Sequence, residues 1–420
     1  MRNYKHITFY RNTAWQYGLQ VVKYLFPLIT LPYLTRVLEP DGYAVYAYVL
    51  SLMTFAQVFI DFGFNLSGTK QIAAAVSVKD ENYTIGAITQ ARLVLCVVSG
   101  LVVCAVASLI PITATNLDYT MLAFAAVCGR AMAPDFVFQG HEDMRPITVR
   151  YFVSKGISTA LTFVFVKSVA DLMWIPVLDI LASAIALAWS FATSKRLFGT
   201  VIMWVTMRRV LSELRDSALY CFSNMAASVF SGFTTLLIGV VVPDAAQISY
   251  WSLAMTAVSA VQSLYSPIVD SMYPHMVRSC DFGFVMKTAL VALPTILAGT
   301  VFFVDLRDII VLVLGGEAYL EGTWILVAVS PVLLFSFFAM LFGWPVLGAA
   351  GRVREVTSTT VGSGIFCITA LLVVSFLGMA TMPIICGIRV ITEVVLCLSR
   401  VWFCRTLVFK SGARLRHRSR

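Results

Sequence analysis

An apolar stretch near the start of the chain carries Asn12, Gln16, Gln20, Lys23 and Thr30 at spacings that place them on one helical face. Amides, a hydroxyl and an ammonium on one face offer hydrogen bonds and positive charge to a polar or anionic cargo. Lys23 has no acidic partner within its own helix, which makes it the leading candidate for a cationic lining that meets an anion. Similar stripes recur downstream. One runs through Thr148, Tyr151, Lys155, Ser158, Thr159 and Thr162. A second holds Ser217, Asn224, Ser228, Ser231 and Thr235, and a third Thr256, Ser259, Ser263, Ser266 and Asp270. Small hydroxyls also let membrane helices pack closely, so any single stripe has a purely structural reading.

Charges within apolar runs narrow the choice. A Lys, Arg or Asp at the centre of a membrane helix costs roughly 2.5–3.5 kcal/mol on insertion scales. Lys23, Arg130, Asp135, Lys155, Asp179, Arg389 and Glu393 therefore each need a reason. Arg389 and Glu393, four residues apart, suit mutual neutralisation on one helix. Arg130 and Asp135, five apart, are poorly placed to pair. Lys155 has Asp179 on the next helix as a structural partner. Asp61 and Asp270 fall near helix ends, where capping or interfacial solvation accounts for them.

The elements that position these groups are membrane helices. The 420 residues are 59% hydrophobic and 13% charged, against about a quarter charged in a soluble protein. The deficit runs along the whole chain, so a polytopic membrane protein is expected rather than a soluble domain with one anchor. The first apolar run follows a basic start and is read as a retained helix, not a cleaved signal. The nine cysteines lie mostly in or beside apolar runs without a CxxC, and no histidine is spaced for metal. Neither a metal nor another cofactor is expected. The net charge of +9 sits mainly in short loops and the tail, which suits topology and lipid headgroups better than nucleic acid.

Runs long enough to span occur at roughly 14–36, 42–62, 88–111, 118–139, 147–167, 172–193, 217–241, 248–270, 286–304, 322–347, 356–378 and 380–403. The fold class is thus an all-α polytopic membrane protein with about 12 transmembrane helices. A tight turn is expected at Glu39-Pro40-Asp41-Gly42, and a polar exit through Asp61-Phe62-Gly63-Phe64-Asn65. Alternate loops hold most of the Lys and Arg, including Lys70, Lys79, Arg92, Arg145 and Arg150, while the opposite loops hold only Arg36, Lys167 and Arg307. Both termini are therefore expected in the cytoplasm.

Residues 194–216 form the longest polar linker and divide the chain into six-helix bundles at 1–193 and 217–403, with a basic tail at 404–420. An interfacial amphipathic helix is expected there. Even helix numbers give the halves the same orientation, so the bundles are parallel repeats. The Pro40-Asp41 and Pro243-Asp244 pairs mark equivalent points. The second Asp-Phe-Gly-Phe, at Asp281-Phe282-Gly283-Phe284, is out of register and is read as chance. Stripes on the equivalent first and seventh helices favour a wet cavity between the halves near mid-membrane.

Several motifs resemble Wzx-type polysaccharide flippases. Leu31-Pro32-Tyr33-Leu34-Thr35-Arg36-Val37-Leu38-Glu39-Pro40-Asp41-Gly42-Tyr43 resembles their first loop. Asp61-Phe62-Gly63-Phe64-Asn65-Leu66-Ser67-Gly68-Thr69-Lys70 resembles their second-helix exit, and Phe138-Gln139-Gly140-His141-Glu142-Asp143-Met144 their Phe-Gln-Gly-x-Glu-x-Met loop. Phe163-Val164-Phe165-Val166-Lys167 is similar to the end of their fifth helix. Glu39 stands where a Gly is usual and Phe136 where a Trp is usual.

The resemblance implies a transporter of the multidrug/oligosaccharidyl-lipid/polysaccharide exporter superfamily, not an enzyme, built as a V of two six-helix bundles. It implies an undecaprenyl-pyrophosphate-linked oligosaccharide as substrate, often an O-antigen unit, moved from the cytoplasmic to the outer leaflet of the bacterial inner membrane. Membrane lipids and other O-antigen assembly proteins are the expected partners. On that reading Lys23, Arg130 and Lys155 form the cationic part of the site, with Gln16 and Gln20 beside Lys23. Asn224, Ser228, Ser259 and Ser263 meet sugar hydroxyls, and Asp61 or Asp179 are candidates for ion coupling. The alternatives are a drug or cation exporter of the same superfamily, which favours acidic cavity residues, and a polysaccharide polymerase or ligase. The latter tends to carry a large periplasmic loop with Arg and His. Residues 305–321 form the longest outward loop and hold no His.

Overall fold

A computed structural model describes residues 2–242, 244–265, 268, 269, 272, 276 and 282–418, with side chains described within 14–218, at 221, and within 234–405 of those ranges. Among the described residues the structure is helical, with no strand. Eight helical stretches among the described residues are long and apolar enough to cross a membrane. The chain forms two compact units, Met1–Ser228 and Val229–Arg420.

The first unit opens with α1, Arg2–Asp61, which is two helical arms joined at Glu39 (φ 55°, ψ 175°). The expected loop is therefore a one-residue break. Pro40, which lacks an amide hydrogen, immediately restarts the helix. Glu39 lies close to a region that is essentially reserved for glycine, so the Glu found in place of the usual Gly is held under strain. The exit at Asp61 is equally abrupt. Phe62 (φ 43°) and Gly63 (φ 76°) break the helix, and α2, Phe64–Ala74, begins at once.

Next come α3 (Val78–Leu109), α4 (Leu117–Ala131) and α5 (Asp135–Gly140), then α6 (Arg145–Phe165) and α7 (Trp174–Phe198). Ser77 caps α3 by accepting a hydrogen bond from the Asp80 amide. The single helix expected at 118–139 is broken at Met132–Pro134, because Pro134 cannot continue the α4 ladder. The first arm of α1 runs parallel to α6. Trp15 O accepts from Thr148 Oγ, Phe26 packs on Phe152, and Tyr33 Oη donates to Val166 O. α7 packs against both α4 and α6.

The linker differs from the surface helix expected at 194–216. α7 runs on to Phe198, residues 199–206 carry no helix, and α8 (Met207–Val241) then continues without a break past the unit boundary. The non-helical piece is strapped to α3. The Val201 amide donates to Asn82 Oδ1 (2.8 Å) and Gln90 Nε2 donates to Met203 O (3.3 Å). Gly86 makes this contact feasible, since a Cβ there would overlap Met203 O. Val210 of α8 is buried with Phe64, Ile72, Ile85 and Phe136 in the core of the first unit.

The second unit contains α9 (Ala245–Ser263), α10 (Phe282–Asp305), α11 (Arg307–Leu314), α12 (Thr323–Val329), α13 (Pro331–Leu341), α14 (Val353–Phe376) and α15 (Met382–Arg418). The helix expected at 322–347 is interrupted at Ser330, where Pro331 starts α13, and distorts into a π-helical turn over Phe342–Gly348 that contains Pro345. Its core joins Met272, Met276, Val285, Phe337 and Leu341.

Candidate functional site

The densest group of membrane charges lies where α4, α6 and α7 meet. The α4–α7 approach is close, as a Cβ added to Gly129 would come within 2.5 Å of Ser183 Oγ. That proximity brings Arg130 NH1 to 3.7 Å from Asp179 Oδ2. From α6, Lys155 Nζ donates to Asp179 Oδ1 at 2.9 Å and Ser158 Oγ donates to the same oxygen at 3.2 Å. One carboxylate thus holds two cations and a hydroxyl, leaving the cluster with a net positive charge. Arg130 and Lys155 keep 39% and 31% of their side-chain surface exposed, so both cations remain within reach of a further anion. Tyr46, Met53, Tyr119 and Pro176 join Arg130 and Asp179 around a cavity of about 30 Å³. That space suits a water-sized guest and is far too small for a sugar.

The pairing of Lys155 with Asp179 matches the sequence expectation, as does that of Arg389 with Glu393 (2.7 Å, both buried). Arg130 does not pair with Asp135, which instead binds Arg150 through both oxygens (2.5 and 3.0 Å). Lys23, Gln16 and Gln20 are exposed on α1, turned away from the core of their unit. Lys23 makes no hydrogen bond or ion pair among the described residues. The packing of Phe26 against Phe152 and Gly156 places it at about the depth of Lys155 on the parallel helix.

The stripes divide between packing and exposure. On α6, Thr148, Ser158, Thr159 and Thr162 are buried against neighbouring helices. In the second unit Ser259 is exposed, and the half-buried Ser263 donates to Ala260 O. Ser217 is buried against Ser67 (Oγ–Oγ 2.7 Å), and Thr235 Oγ accepts from Trp251 Nε1. The side chains of Asn12, Asn224, Ser228, Ser231, Ser266 and Asp270 lie outside the described residues.

Two functional-looking cations were hidden in the sequence by counting them with the loops. Arg92 is buried in α3, 3.5 Å from Asp61, and donates to Ala133 O and Asn65 Oδ1. Its guanidinium also lies over the rings of Phe64 and Phe136. Asp61 is further held by Gln57 Nε2 at 3.3 Å. The motif around Asp61–Asn65 and the one beginning near Phe136 are therefore two sides of one junction. Thr69 Oγ donates to Gln139 Oε1 across it, and α2 packs on α5. Arg150 is buried on α6 and also donates to Ser190 Oγ. The signal was available for both, since Arg92 falls inside the apolar run at 88–111 and Arg150 inside that at 147–167.

These helices and their intramembrane charges define a multi-pass α-helical membrane protein. Its fold is similar to that of a MATE-family multidrug resistance transporter of the MOP superfamily, solved in an inward-facing conformation (TM-score 0.68, 13% identity, covering 93% of this chain and 96% of the other). The inward closed conformation of the lipid II flippase MurJ is similarly close (TM-score 0.69, 12% identity, 94% and 87% covered). Residues 9–280 match the polysaccharide biosynthesis protein family, and the chain belongs to that family. It is 24% identical over 373 residues to an Escherichia coli (strain K12) protein named "Putative O-antigen transporter", covering 86% of this chain and 89% of that one. A Shigella dysenteriae protein of the same name is 26% identical over 310 residues (72% and 77% covered). The family resemblance read from the motifs is borne out.

Proposed function

We propose that the protein is a flippase, not an enzyme, that carries an undecaprenyl-pyrophosphate-linked oligosaccharide from the cytoplasmic to the periplasmic leaflet of the bacterial inner membrane by alternating access. The observation that carries this reading is the cluster of Lys155 and Arg130 around Asp179, net positive and partly exposed in a membrane-spanning region. Its place in a polysaccharide biosynthesis family and its likeness to named O-antigen transporters support the same reading. On this reading the chain has 12 spans in two parallel six-helix bundles with cytoplasmic termini, a count and orientation taken from hydropathy and the positive-inside pattern.

No covalent bond changes during transport. The pyrophosphate and sugars must be given polar partners across hydrocarbon while the lipid tail stays in it. Lys23, Arg130 and Lys155 supply charge for the pyrophosphate, while Gln16, Gln20 and Ser259 present hydrogen-bonding groups to sugar. Asn224, Ser228 and Ser263 belong to the same proposed lining. Asp179 acts as a resident counter-ion that holds the two cations until substrate arrives, and its release offers a route to ion coupling. Asp61, bound to Arg92 and Gln57, is the less accessible coupling candidate.

The inside-negative potential favours outward movement of an anion by about 2.3 kcal/mol per charge per 100 mV. A drug or cation exporter would need an acidic site, whereas the cluster here holds two cations for one carboxylate. The test is reconstitution of the purified chain with a labelled undecaprenyl-pyrophosphate glycan, scoring exposure on the opposite leaflet. Transfer no faster than in protein-free vesicles, with folded protein and the cognate glycan, overturns the reading.

A further inference from the structure

A cavity in the second unit has no part in the charged site. It is a laterally open groove of about 830 Å³, formed by α10 together with parts of α9, α11 and α13. Its lining on α10 runs from Phe284 to Phe303, which at 1.5 Å per residue is about 29 Å, close to the full thickness of the hydrocarbon core. The threonines along it are not polar features of the groove. Thr288, Thr295 and Thr300 each donate their hydroxyl to the carbonyl four residues back, at 3.0, 3.3 and 2.8 Å, which satisfies them within the helix. The groove is thus apolar along its length. Lys287 lines one end of it, exposed and without an ion pair or hydrogen bond among the described residues.

An apolar channel with a cation at one end is complementary to a lipid with an anionic head. Length decides which lipid. A phospholipid acyl chain reaches only to the bilayer midplane, about half of this groove. Filling it from end to end takes a chain about twice as long. We infer that this groove seats the polyisoprenoid tail of the lipid-linked substrate, with Lys287 offering its pyrophosphate a separate, first contact before it is held by the Lys155–Asp179 cluster. The inference rests on the proposed flippase reading for the identity of the lipid, and it adds a tail site distinct from the Lys155–Asp179 cluster.

Gly299 allows a clean test. It lines the groove, and a Cβ added there meets nothing within 4 Å, so a larger side chain enters the groove without a clash. The full-length protein is released from detergent into the mass spectrometer after incubation with undecaprenyl diphosphate, farnesyl diphosphate or phosphatidylglycerol. Wild type is expected to retain undecaprenyl diphosphate well above farnesyl diphosphate. Gly299→Leu should weaken that retention by about tenfold, the loss of roughly two buried methylenes, at an unchanged melting temperature. Lys287→Ala should weaken it several-fold, and neither variant should alter phosphatidylglycerol. A photoreactive residue at Thr295 in the otherwise unaltered chain should crosslink to the isoprenoid. Equal retention of undecaprenyl diphosphate by Gly299→Leu and wild type overturns the inference, as does crosslinking from Thr295 to phospholipid alone. These readouts need no translocation. Intact groove binding with no glycan transfer in vesicles would therefore sink the flippase reading and leave the groove standing.

Discussion

The Lys155 ammonium sits 2.9 Å from Asp179 Oδ1 across the α6–α7 interface, and the two are the centre of the only group of charges in the first unit, among the described residues, that joins two cations to one carboxylate. Both side chains are partly exposed, so the pair is worth on the order of 1 kcal/mol to the fold rather than the several expected of a fully buried pair. Lys155→Met should therefore leave the protein folded, with its melting temperature shifted by a few degrees at most. Glycan transfer should fall by about tenfold or more, as for loss of a charge-assisted contact, while Lys155→Arg retains most of it. A Lys155→Met protein that transfers at the wild-type rate shows that the pair is structural only.

Lys23 separates function from stability more sharply. It is exposed and unpaired among the described residues, so Lys23→Ala should change stability by no more than about 0.5 kcal/mol. Transfer of the pyrophosphate-linked glycan should nevertheless drop, and the loss should be larger for the glycan than for binding of a neutral lipid. Parallel thermal melts and flipping assays on one preparation check both halves of this expectation.

Arg150 should behave in the opposite manner. Its guanidinium is buried and bound to both oxygens of Asp135, so Arg150→Met strands a carboxylate in the membrane and should cost about 3–5 kcal/mol. Arg150→Met combined with Asp135→Leu removes both charges and should recover most of that loss. Denaturation midpoints of the two single variants and the double variant close the cycle.

Glu39 is expected to be improved by the residue its position favours. With φ 55° and ψ 175° it occupies a conformation that costs on the order of 1–3 kcal/mol for a side-chain-bearing residue. Glu39→Gly regains that cost less about 0.5–1 kcal/mol of unfolded-state entropy. The melting temperature should rise, and an unchanged or lower value would show that the Glu39 side-chain contacts outweigh the strain.

Glu213, at the start of α8 and outside the spans, gives a pH signature. Burial raises its carboxyl above the ordinary value of 4.5, against the opposing hydrogen bond from Gln71 and the charge of Arg209. A raised folded-state value means that its contribution to stability is complete below pH 4.5 and is lost as pH rises through the folded-state value. Glu213→Gln cannot ionise. Its stability relative to wild type should climb from pH 4.5 upward and level off once the pH has passed the raised folded-state value, as read by melts across a pH series.

Helix type, the apolar spans and two of the ion pairs were legible in the sequence because hydropathy and i, i+4 spacing are local quantities. Lys155 with Asp179 could be paired on paper because adjacent helices in a membrane must pack. The Arg150–Asp135 and Arg92–Asp61 contacts also join neighbouring spans, but both arginines lie near span ends, where a positive charge reads equally well as part of a loop. The linker was misjudged too. Its basic residues with Phe198, Trp204 and Val210 interleaved suit a surface helix, yet Gly86, Asn82 and Gln90 on a distant helix offer the backbone of residues 199–206 a better seat. Breaks within spans follow Pro134 and Pro331, which sequence marks, and the bend at Glu39 falls within the turn that Pro40 and Gly42 mark, though confined to one residue.

α8 is a single unbroken helix whose early turns are fastened to the first unit, by Val210 in its core, Glu213 to Gln71 and Ser217 to Ser67, and whose later turns carry Thr235 to Trp251 in the second. The fastenings at 210, 213 and 217 fall three to four residues apart, one per turn, so the start of α8 is pinned along one face like a keyed shaft: it can neither roll about its axis nor slide without breaking all three at once.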